Sequence, residues 1–243
     1  MVHNLEAPCD SDSIDWSRLY RARGDEVVSH RPYFTGDVFE RVEVQNPDGS
    51  TKRKNVIIVQ HPCAMRTNGV DLVPKLLVAE LRNHRVLSPE EWTGYTKNMP
   101  LPDLIPSVAS GRRSQAAFFD ELYLVAPERL ASRIACLSQL GVNLLLQRWV
   151  SHNSRVVIPT STYNKATSGV YEESDLIEEW CEELLPAGIL PEKATVECMT
   201  WLREDVGGVT RQRMLEDEQH RSEIRRQMRS AIRSLADIAG DLG

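Results

Sequence analysis

The hydrophobic pattern of the first two thirds of the chain predicts short strands. Residues 37–44 alternate apolar and polar side chains, as a half-buried strand does, and residues 55–60 are apolar enough for a fully buried strand. Between them, residues 46–50 read Asn-Pro-Asp-Gly-Ser, which is the composition of a turn. The two strands are therefore predicted to form a hairpin. Apolar runs predict three further strands, at residues 75–81, 117–125 and 155–159.

The last third of the chain has helical spacing instead. Ser138 has the residue type of a helix N-cap, and the helix that follows is predicted to reach about His152. The final apolar stripe repeats at intervals of 4, 3, 4, 3 and 4, as a heptad seam does, and consists of Ile224, Met228, Ala231, Leu235, Ile238 and Leu242. Two interpretations stay open: residues 224–242 form a homodimer or dock a partner helix, or the stripe packs on the protein's own core.

The order of these elements indicates the fold class. Strand-rich segments precede helix-rich ones rather than alternating with them, which favours an α+β protein over a doubly wound parallel sheet. We expect an N-terminal arm over residues 1–30 and a small β-barrel over residues 31–165. Residues 83–115 are rich in Pro and Gly and are predicted to be a long loop of that domain. An acidic helical region over residues 171–243, ending in the heptad helix, completes the prediction.

Composition excludes several classes of protein. The 243 residues are 41% hydrophobic and 26% charged, with no apolar stretch of the ~18 residues that a membrane span needs and no signal-peptide pattern at residues 1–6. We therefore expect a cytoplasmic protein without membrane contact. The five cysteines are scattered without a CxxC pair, so we expect no metal. Dinucleotide, P-loop, zincin and serine-hydrolase motifs are absent from the sequence, and we expect no cofactor.

Charge is unevenly distributed along the chain. Residues 31–170 carry 17 basic and 12 acidic side chains, whereas residues 171–205 carry 2 basic and 11 acidic ones. Arg supplies 23 of the 29 basic residues, and its planar guanidinium suits phosphate. The basic region thus favours an RNA or DNA partner. A further hypothesis is that the acidic segment covers the basic domain in cis.

The first candidate site follows the predicted strand at residues 55–60. His61, Cys63 and Arg66 lie within six residues of one another, at a strand end that would present them at the surface. His61 and Cys63 are candidate catalytic residues, as acid or base and as nucleophile, and Arg66 is a candidate contact for phosphate. The alternative is that Cys63 fills the end of the barrel and His61 caps a turn.

The second candidate site is at the end of the predicted helix after Ser138. Arg148 and His152 are four residues apart and share a helical face, while Asn153 and Arg155 follow at the turn. This composition favours an anion site, with His152 as a candidate acid or base and with nucleic-acid contacts from Arg148, Asn153 and Arg155. The alternative is an ordinary surface ion pair at the end of a helix.

Over about residues 33–152 the chain resembles the MazF/PemK growth-inhibitor (toxin) family. The resemblance is carried by a strand at residues 36–39, a basic loop leading into residues 54–59, and residues 119–122, followed by residues 127–130 and a helix entered at Leu137-Ser138. It implies a small SH3-like barrel, and the family's activity implies an endoribonuclease of a toxin–antitoxin system.

The residues of the family's RNA site differ in this chain. Family members typically carry an Arg-Pro pair at the start of the second strand and a Thr at the end of the third. The matching positions are Lys54-Asn55 and Glu80-Leu81, so neither catalytic residue carries over. His61, Cys63 and Arg66 lie outside the family pattern. The resemblance therefore implies either a rebuilt active site or a barrel that serves for binding.

Two functions follow as expectations. The first is a MazF-like nucleic-acid-binding protein, with metal-independent RNA cleavage as an open question. The second is a non-catalytic interaction or regulatory factor, of the phage- or defence-associated kind, that binds a protein partner through the barrel and the C-terminal helices.

Overall fold

The chain is a mixed α+β protein with one large antiparallel sheet, as its order of elements predicts. The computed structural model describes residues 4–8, 15–67, 71–94, 97–105 and 114–241, except for the side chains of Pro89 and of residues 236–241. Two compact units divide the chain. Unit 1 comprises residues 1–27 and 34–166, and unit 2 comprises residues 28–33 and 167–243.

Unit 1 contains all the described strands. These are β1 (Tyr20–Arg23), β2 (Val38–Gln45), β3 (Thr51–Ile58), β4 (Arg66–Thr67), β5 (Asp71–Leu72), β6 (Leu76–His84), β7 (Asn98–Leu101), β8 (Ser114–Val125) and β9 (Arg133–Leu137). Seven of them form one sheet in the order β1-β9-β2-β3-β6-β8-β7, with every neighbouring pair antiparallel. The β4–β5 pair forms a separate small ladder. Strands β3, β6 and β8 are therefore adjacent, although long segments separate them in the sequence.

The predicted hairpin is confirmed. Strands β2 and β3 pair along their length, and the Asn46 and Ser50 main chains close the turn with a 2.8 Å hydrogen bond. Gly49 has a φ of 81°, a conformation that glycine adopts without strain. The predicted strands at residues 75–81 and 117–125 are also confirmed, as parts of β6 and β8.

Two of the predictions between residues 83 and 159 are wrong. Residues 83–115 contain helix α1 (Pro89–Trp92), strand β7 and the ends of β6 and β8, rather than one irregular loop. Residues 155–159 form no strand, because Arg155 turns into the left-handed region at φ 62° and ends helix α2 (Gln139–Ser154). Helix α3 (Thr160–Leu184) starts directly after them. Ser138 does cap α2 as predicted, since its hydroxyl accepts a 3.1 Å hydrogen bond from the Gly141 amide.

Unit 2 has a hydrophobic core of its own. Part of α3 contributes to it, together with α4 (Pro191–Arg203), α5 (Arg211–Met214) and α6 (Glu218–Asp241). The stripe of α6 enters this core through the buried side chains of Ile224, Met228 and Ile232. Ala231 and Leu235 of the predicted stripe are partly buried against the same core, and Ile232, which lies outside the predicted stripe, adds to it. This packing favours the second of the two interpretations of the stripe. The side chains of Ile238 and Leu242 lie outside the described residues.

The acidic residues of α3 are balanced within unit 2. Arg31, almost fully buried, donates to Asp175 at 2.7 Å and also to Glu178. Arg225 similarly pairs with Glu172 at 2.7 Å and with Glu179 at 2.6 Å. Burial lowers the pKa of Arg31, but Asp175, Tyr171 and Glu178 raise it above its ordinary value. These carboxylates therefore already hold cations of their own unit, and the hypothesis that they cover the basic domain stays a prediction.

No helix in the described part of the chain combines the length and the apolar composition that crossing a membrane requires.

Candidate functional site

Polar and aromatic side chains collect on one face of the sheet in unit 1, across β3, β6 and β8. Alternate residues of a strand share a face, so Glu80, Arg82 and His84 lie on the same face of β6. The register places Glu80 opposite Val56 of β3 and opposite Phe118 of β8. We call this set the polar row; it consists of Lys54, Glu80, Arg82, His84, Phe118 and Tyr123.

Glu80 is the centre of the polar row. Its side chain is only 3% exposed, and its Oε1 atom accepts hydrogen bonds from Lys54 Nζ and Arg82 Nε, both at 2.8 Å. Its Oε2 atom accepts one from the Tyr123 hydroxyl at 3.1 Å. Both carboxylate oxygens are therefore engaged by donors. An enclosed carboxylate of this kind orients the groups around it rather than reaching a substrate.

The protonation states of the cluster follow from these contacts. Burial raises the pKa of Glu80, but the hydrogen bonds from Arg82, Lys54 and Tyr123 bring it below its ordinary value. Burial, together with the hydrogen bond to Glu80, raises the pKa of Tyr123 to about 12. At neutral pH Glu80 is thus a carboxylate and Tyr123 a neutral phenol, so the two cations are held by a fixed negative charge.

An irregularity in β8 adds a second carboxylate. Ala79 pairs with Leu122 but Glu80 pairs with Phe118, so three residues of β8 are inserted between consecutive pairs. Such bulges redirect side chains and occur frequently beside functional sites. Here Glu121 forms an ion pair with Arg82 Nη2 at 2.8 Å, and both side chains remain about 40% exposed. Arg82 therefore has one nitrogen on a buried carboxylate and another on a carboxylate in solvent.

The far end of the polar row is aromatic and carries an imidazole. The Arg82 guanidinium lies 5.4 Å from the centre of the Phe118 ring, and His84 meets the same ring edge-on at 6.4 Å. His84 Nδ1 lies 2.7 Å from the Arg85 carbonyl oxygen. Because a carbonyl only accepts, Nδ1 is the donor of this hydrogen bond.

Further cations lie close to the row. Lys52 of β3 is exposed and shares the face of Lys54, whereas the exposed Arg53 lies on the opposite face, across from Glu43 of β2. Arg41 is also exposed, at a bulge of β2 where its φ is 55° and its amide donates to the Asn55 side chain at 3.1 Å. This end of the sheet therefore presents several positive charges to solvent beside an aromatic ring.

The residues of the first predicted site lie at a short turn and in strand β4, outside the polar row. His61 Nδ1 accepts a 3.3 Å hydrogen bond from the Cys63 amide at the start of a short turn, as the alternative interpretation proposed for His61. The same interpretation is wrong for Cys63, which is exposed rather than buried at the end of a barrel. Burial lowers the pKa of His61. Cys63 is an exposed free thiol, and Arg66 is half-buried in β4, outside the polar row.

The residues of the second predicted site do not lie together: some are buried and others are exposed. Arg148 is 0% exposed, and its Nη2 donates to the carbonyls of Glu6 and Trp92 at 2.9 and 3.0 Å. A nucleic acid in solvent does not reach this guanidinium, so Arg148 is removed from the nucleic-acid contacts. His152 packs against the buried ring of Phe119 at 5.6 Å rather than in the polar row.

The last two residues of that site lie at the end of α2. The Asn153 side chain donates to the carbonyl of Trp149 at 2.7 Å, within its own helix. Arg155 ends α2 and is exposed. Of the predicted cluster, Arg155 is thus the residue whose charge faces solvent.

The sequence contained a signal for the polar row. Glu80 is a charged residue inside the apolar run 75–81, and such a residue is buried only with partners. Its partners Lys54 and Tyr123 are 26 and 43 residues away, so strand pairing was needed to identify them.

Comparison with known proteins finds no relative: no family model matches the chain, and no curated protein matches it. Within the ranges that the structure describes, no group of three or more His, Cys, Asp or Glu side chains is arranged to hold a metal ion. The interpretation of the site therefore depends on its own geometry and chemistry.

Proposed function

We propose that the protein binds single-stranded RNA across the polar row. The observation that carries this proposal is that the buried carboxylate of Glu80 holds two partly exposed cations, Lys54 and Arg82, both at 2.8 Å and beside the Phe118 ring. Cations contact phosphates, and aromatic rings stack on unpaired bases. The polar row offers both on one face, and Lys52 extends its positive charge on that face.

We also propose that the sheet of unit 1 is an SH3-like barrel of the MazF/PemK kind. Lys54 and Glu80 support this, because the two positions that match the family's RNA site are in direct contact in this chain. An ion pair in place of the family's residues fits a rebuilt site that retains its location. A role in a toxin–antitoxin system and the association of two copies belong to the same proposal.

Binding to RNA is tested by exchanging the cation at the centre of the row. Arg82→Gln removes the charge but keeps a polar side chain, and we expect it to weaken the binding of a labelled single-stranded RNA about tenfold. The slope of log Kd against the logarithm of the salt concentration should also become smaller by about 0.7, which is the value for one phosphate contact to a single strand. Fluorescence anisotropy at several salt concentrations measures both quantities.

Arg129→Gln is the matched control, since Arg129 is exposed and pairs with Glu43 away from the row. It should leave both quantities unchanged. Equal effects of Arg82→Gln and Arg129→Gln, or no binding of RNA by the wild-type protein, would contradict the proposal. The second result would favour the non-catalytic protein-interaction factor.

His84 supports RNA cleavage as a second candidate function. Its Nε2 atom can take the proton of a 2′-hydroxyl, whose oxygen then attacks the neighbouring phosphorus while the bond to the 5′ oxygen breaks. The leaving oxygen takes a proton from water, and the products are a 2′,3′-cyclic phosphate and a 5′-hydroxyl. Arg82, on the same strand face, would stabilise the negative charge that develops on the phosphate.

Incubation of labelled RNA with the protein in EDTA tests this second function. We expect slow cleavage to cyclic-phosphate ends, reduced at least 100-fold in His84→Gln. Binding of RNA should stay within about twofold of the wild type, because His84 acts on the proton rather than on a phosphate charge. Intact RNA, or loss of cleavage in His61→Ala or His152→Ala instead, would contradict the role of His84.

A further inference from the structure

Residues 4–8 lie against the end of α2 and the start of α3, and we call this segment the strap. Leu5 is 2% exposed and Pro8 is buried, while Asn4 is exposed. The surface that holds the strap is formed by Gln147 and Arg148 of α2 and by Thr160 of α3, and we call it the cradle. Strap and cradle both belong to unit 1.

The cradle contacts the main chain of the strap through side chains. The Glu6 amide donates to Gln147 Oε1 at 2.8 Å, and the Glu6 carbonyl accepts from Arg148 Nη2 at 2.9 Å. The Gln147 side chain thus accepts from the amide of Glu6, and the Arg148 side chain donates to the carbonyl of the same residue. Side-chain contacts, rather than a main-chain ladder, therefore join the strap to the cradle.

The cradle also recognises the charge of the strap. The Glu6 carboxylate accepts hydrogen bonds from the Thr160 amide at 2.8 Å, from the Thr160 hydroxyl, and from Gln147 Nε2 at 3.0 Å. Thr160 is the first residue of a 25-residue helix, whose N-terminal amides attract negative charge. Burial raises the pKa of Glu6, but the hydrogen bonds from Thr160 and Gln147 hold it below its ordinary value.

Arg148 is a buried cation of the cradle, and two of its nitrogen atoms donate no hydrogen bond among the described residues. Its side chain is 0% exposed, yet its Nε and Nη1 atoms have no hydrogen-bond partner among the described residues. Burial lowers the pKa of Arg148 to about 9, and the charge of Glu6 offsets this only in part. The guanidinium also lies 4.8 Å from the centre of the Trp92 ring, so the strap, the Trp92 carbonyl and this ring hold a buried cation that keeps two donors without a hydrogen bond.

We infer that the cradle is a binding site for an extended acidic peptide with a leucine before a glutamate, and that the strap occupies this site in the absence of such a partner. The leucine fills the apolar position of Leu5, and the glutamate takes the place of Glu6 on Thr160 and Gln147. A partner with this peptide competes with the strap for the same contacts. The inference is independent of RNA binding, because neither the strap nor the cradle contains a residue of the polar row.

The experiment weakens the strap and supplies the peptide separately. A full-length Leu5→Ser, Glu6→Ala variant is titrated with an acetylated and amidated peptide of residues 4–8, and binding is followed by NMR of the Gln147 side-chain amide. We expect saturable binding to the variant, at least tenfold weaker binding to the wild type, and at least tenfold weaker binding of the peptide with Gln in place of Glu6. Adding Thr160→Val to the variant should reduce the affinity for the unmodified peptide further.

A folded strap variant that does not bind the peptide, or that binds the Glu and Gln peptides equally, would overturn the inference. If the double variant does not fold, Glu6→Gln alone serves, because it keeps Leu5 and the size of the side chain. The same peptide should then bind Glu6→Gln more tightly than it binds the wild type, and equal binding would overturn the inference as well.

Discussion

Replacing Arg31 with Met should lower the free energy of unfolding of unit 2 by about 3–5 kcal/mol. The Arg31 side chain is 2% exposed and holds Asp175 and Glu178, which are themselves 17% and 12% exposed. Its guanidinium also lies 5.3 Å from the Tyr171 ring. Methionine would keep the apolar stem but remove the cation that Asp175 and Glu178 share, one helical turn apart, in a largely buried position. Urea unfolding followed by tryptophan fluorescence measures the loss, since Trp180 and Trp201 belong to the core of unit 2.

This prediction attributes the loss of stability in Arg31→Met to the charge of Arg31 rather than to its packing. Removing the charges as well, in Arg31→Met, Asp175→Asn, Glu178→Gln, should recover most of the stability, because no uncompensated ion is then buried. Arg226→Met is the matched control: Arg226 is 79% exposed and pairs only with the neighbouring Glu223, so a change under about 0.5 kcal/mol is expected. Equal losses in Arg31→Met and Arg226→Met would contradict the prediction.

Glu80→Gln should destabilise unit 1 by about 2–3 kcal/mol at pH 7, because two cations lose the charge that holds them. The effect depends on pH in a defined direction. The pKa of Glu80 is lower in the folded protein than its ordinary value of 4.5, so its carboxylate stabilises the fold above that pH. This stabilisation is lost as the pH falls through the lowered pKa. The difference between wild type and variant should therefore be full at pH 7 and should decrease as the pH falls below 4.5.

Urea titrations of both proteins across this range provide the measurement. Glu128→Gln serves as the control, because Glu128 is exposed in a short turn of unit 1 and its replacement should change stability by less than about 0.5 kcal/mol at any pH. A difference between wild type and Glu80→Gln that is constant with pH would show that Glu80 acts through its shape rather than its charge.

Local sequence signals predicted the parts of the fold that depend on neighbouring residues. The β2–β3 hairpin follows from the turn at residues 46–50, and the start of α2 follows from the Ser138 cap. The predictions that are wrong concern segments whose structure depends on tertiary contacts. The apolar run at residues 155–159 has a strand-like composition, yet Arg155 ends one helix there and Thr160 begins the next. The apolar stripe of α6 is confirmed from Ile224 to Leu235, and the core of unit 2 buries Ile232 in addition.

The polar row was less predictable than the fold, for a physical reason. Helical periodicity placed Arg148 and His152 on one face, but it does not tell whether that face is exposed, and α2 is buried from Gly141 to Arg148. Conversely, the partners of Glu80 lie on two other strands. A buried charge indicates that the residue has partners. Which residues those partners are depends on the strand order and on the residues inserted in β8.

The most direct test of RNA binding at the polar row is the affinity of the Glu121→Gln protein for the labelled single-stranded RNA. Glu121 competes with a phosphate for Arg82 Nη2 in an exposed ion pair that contributes only about 0–1 kcal/mol, so a phosphate can displace it. We predict that Glu121→Gln binds the RNA about three- to tenfold more tightly than the wild type does, while Glu128→Gln, which removes the same charge elsewhere in unit 1, changes the affinity less than twofold. Unchanged or weaker binding by Glu121→Gln, or an equal gain in both variants, would contradict a phosphate site at Arg82.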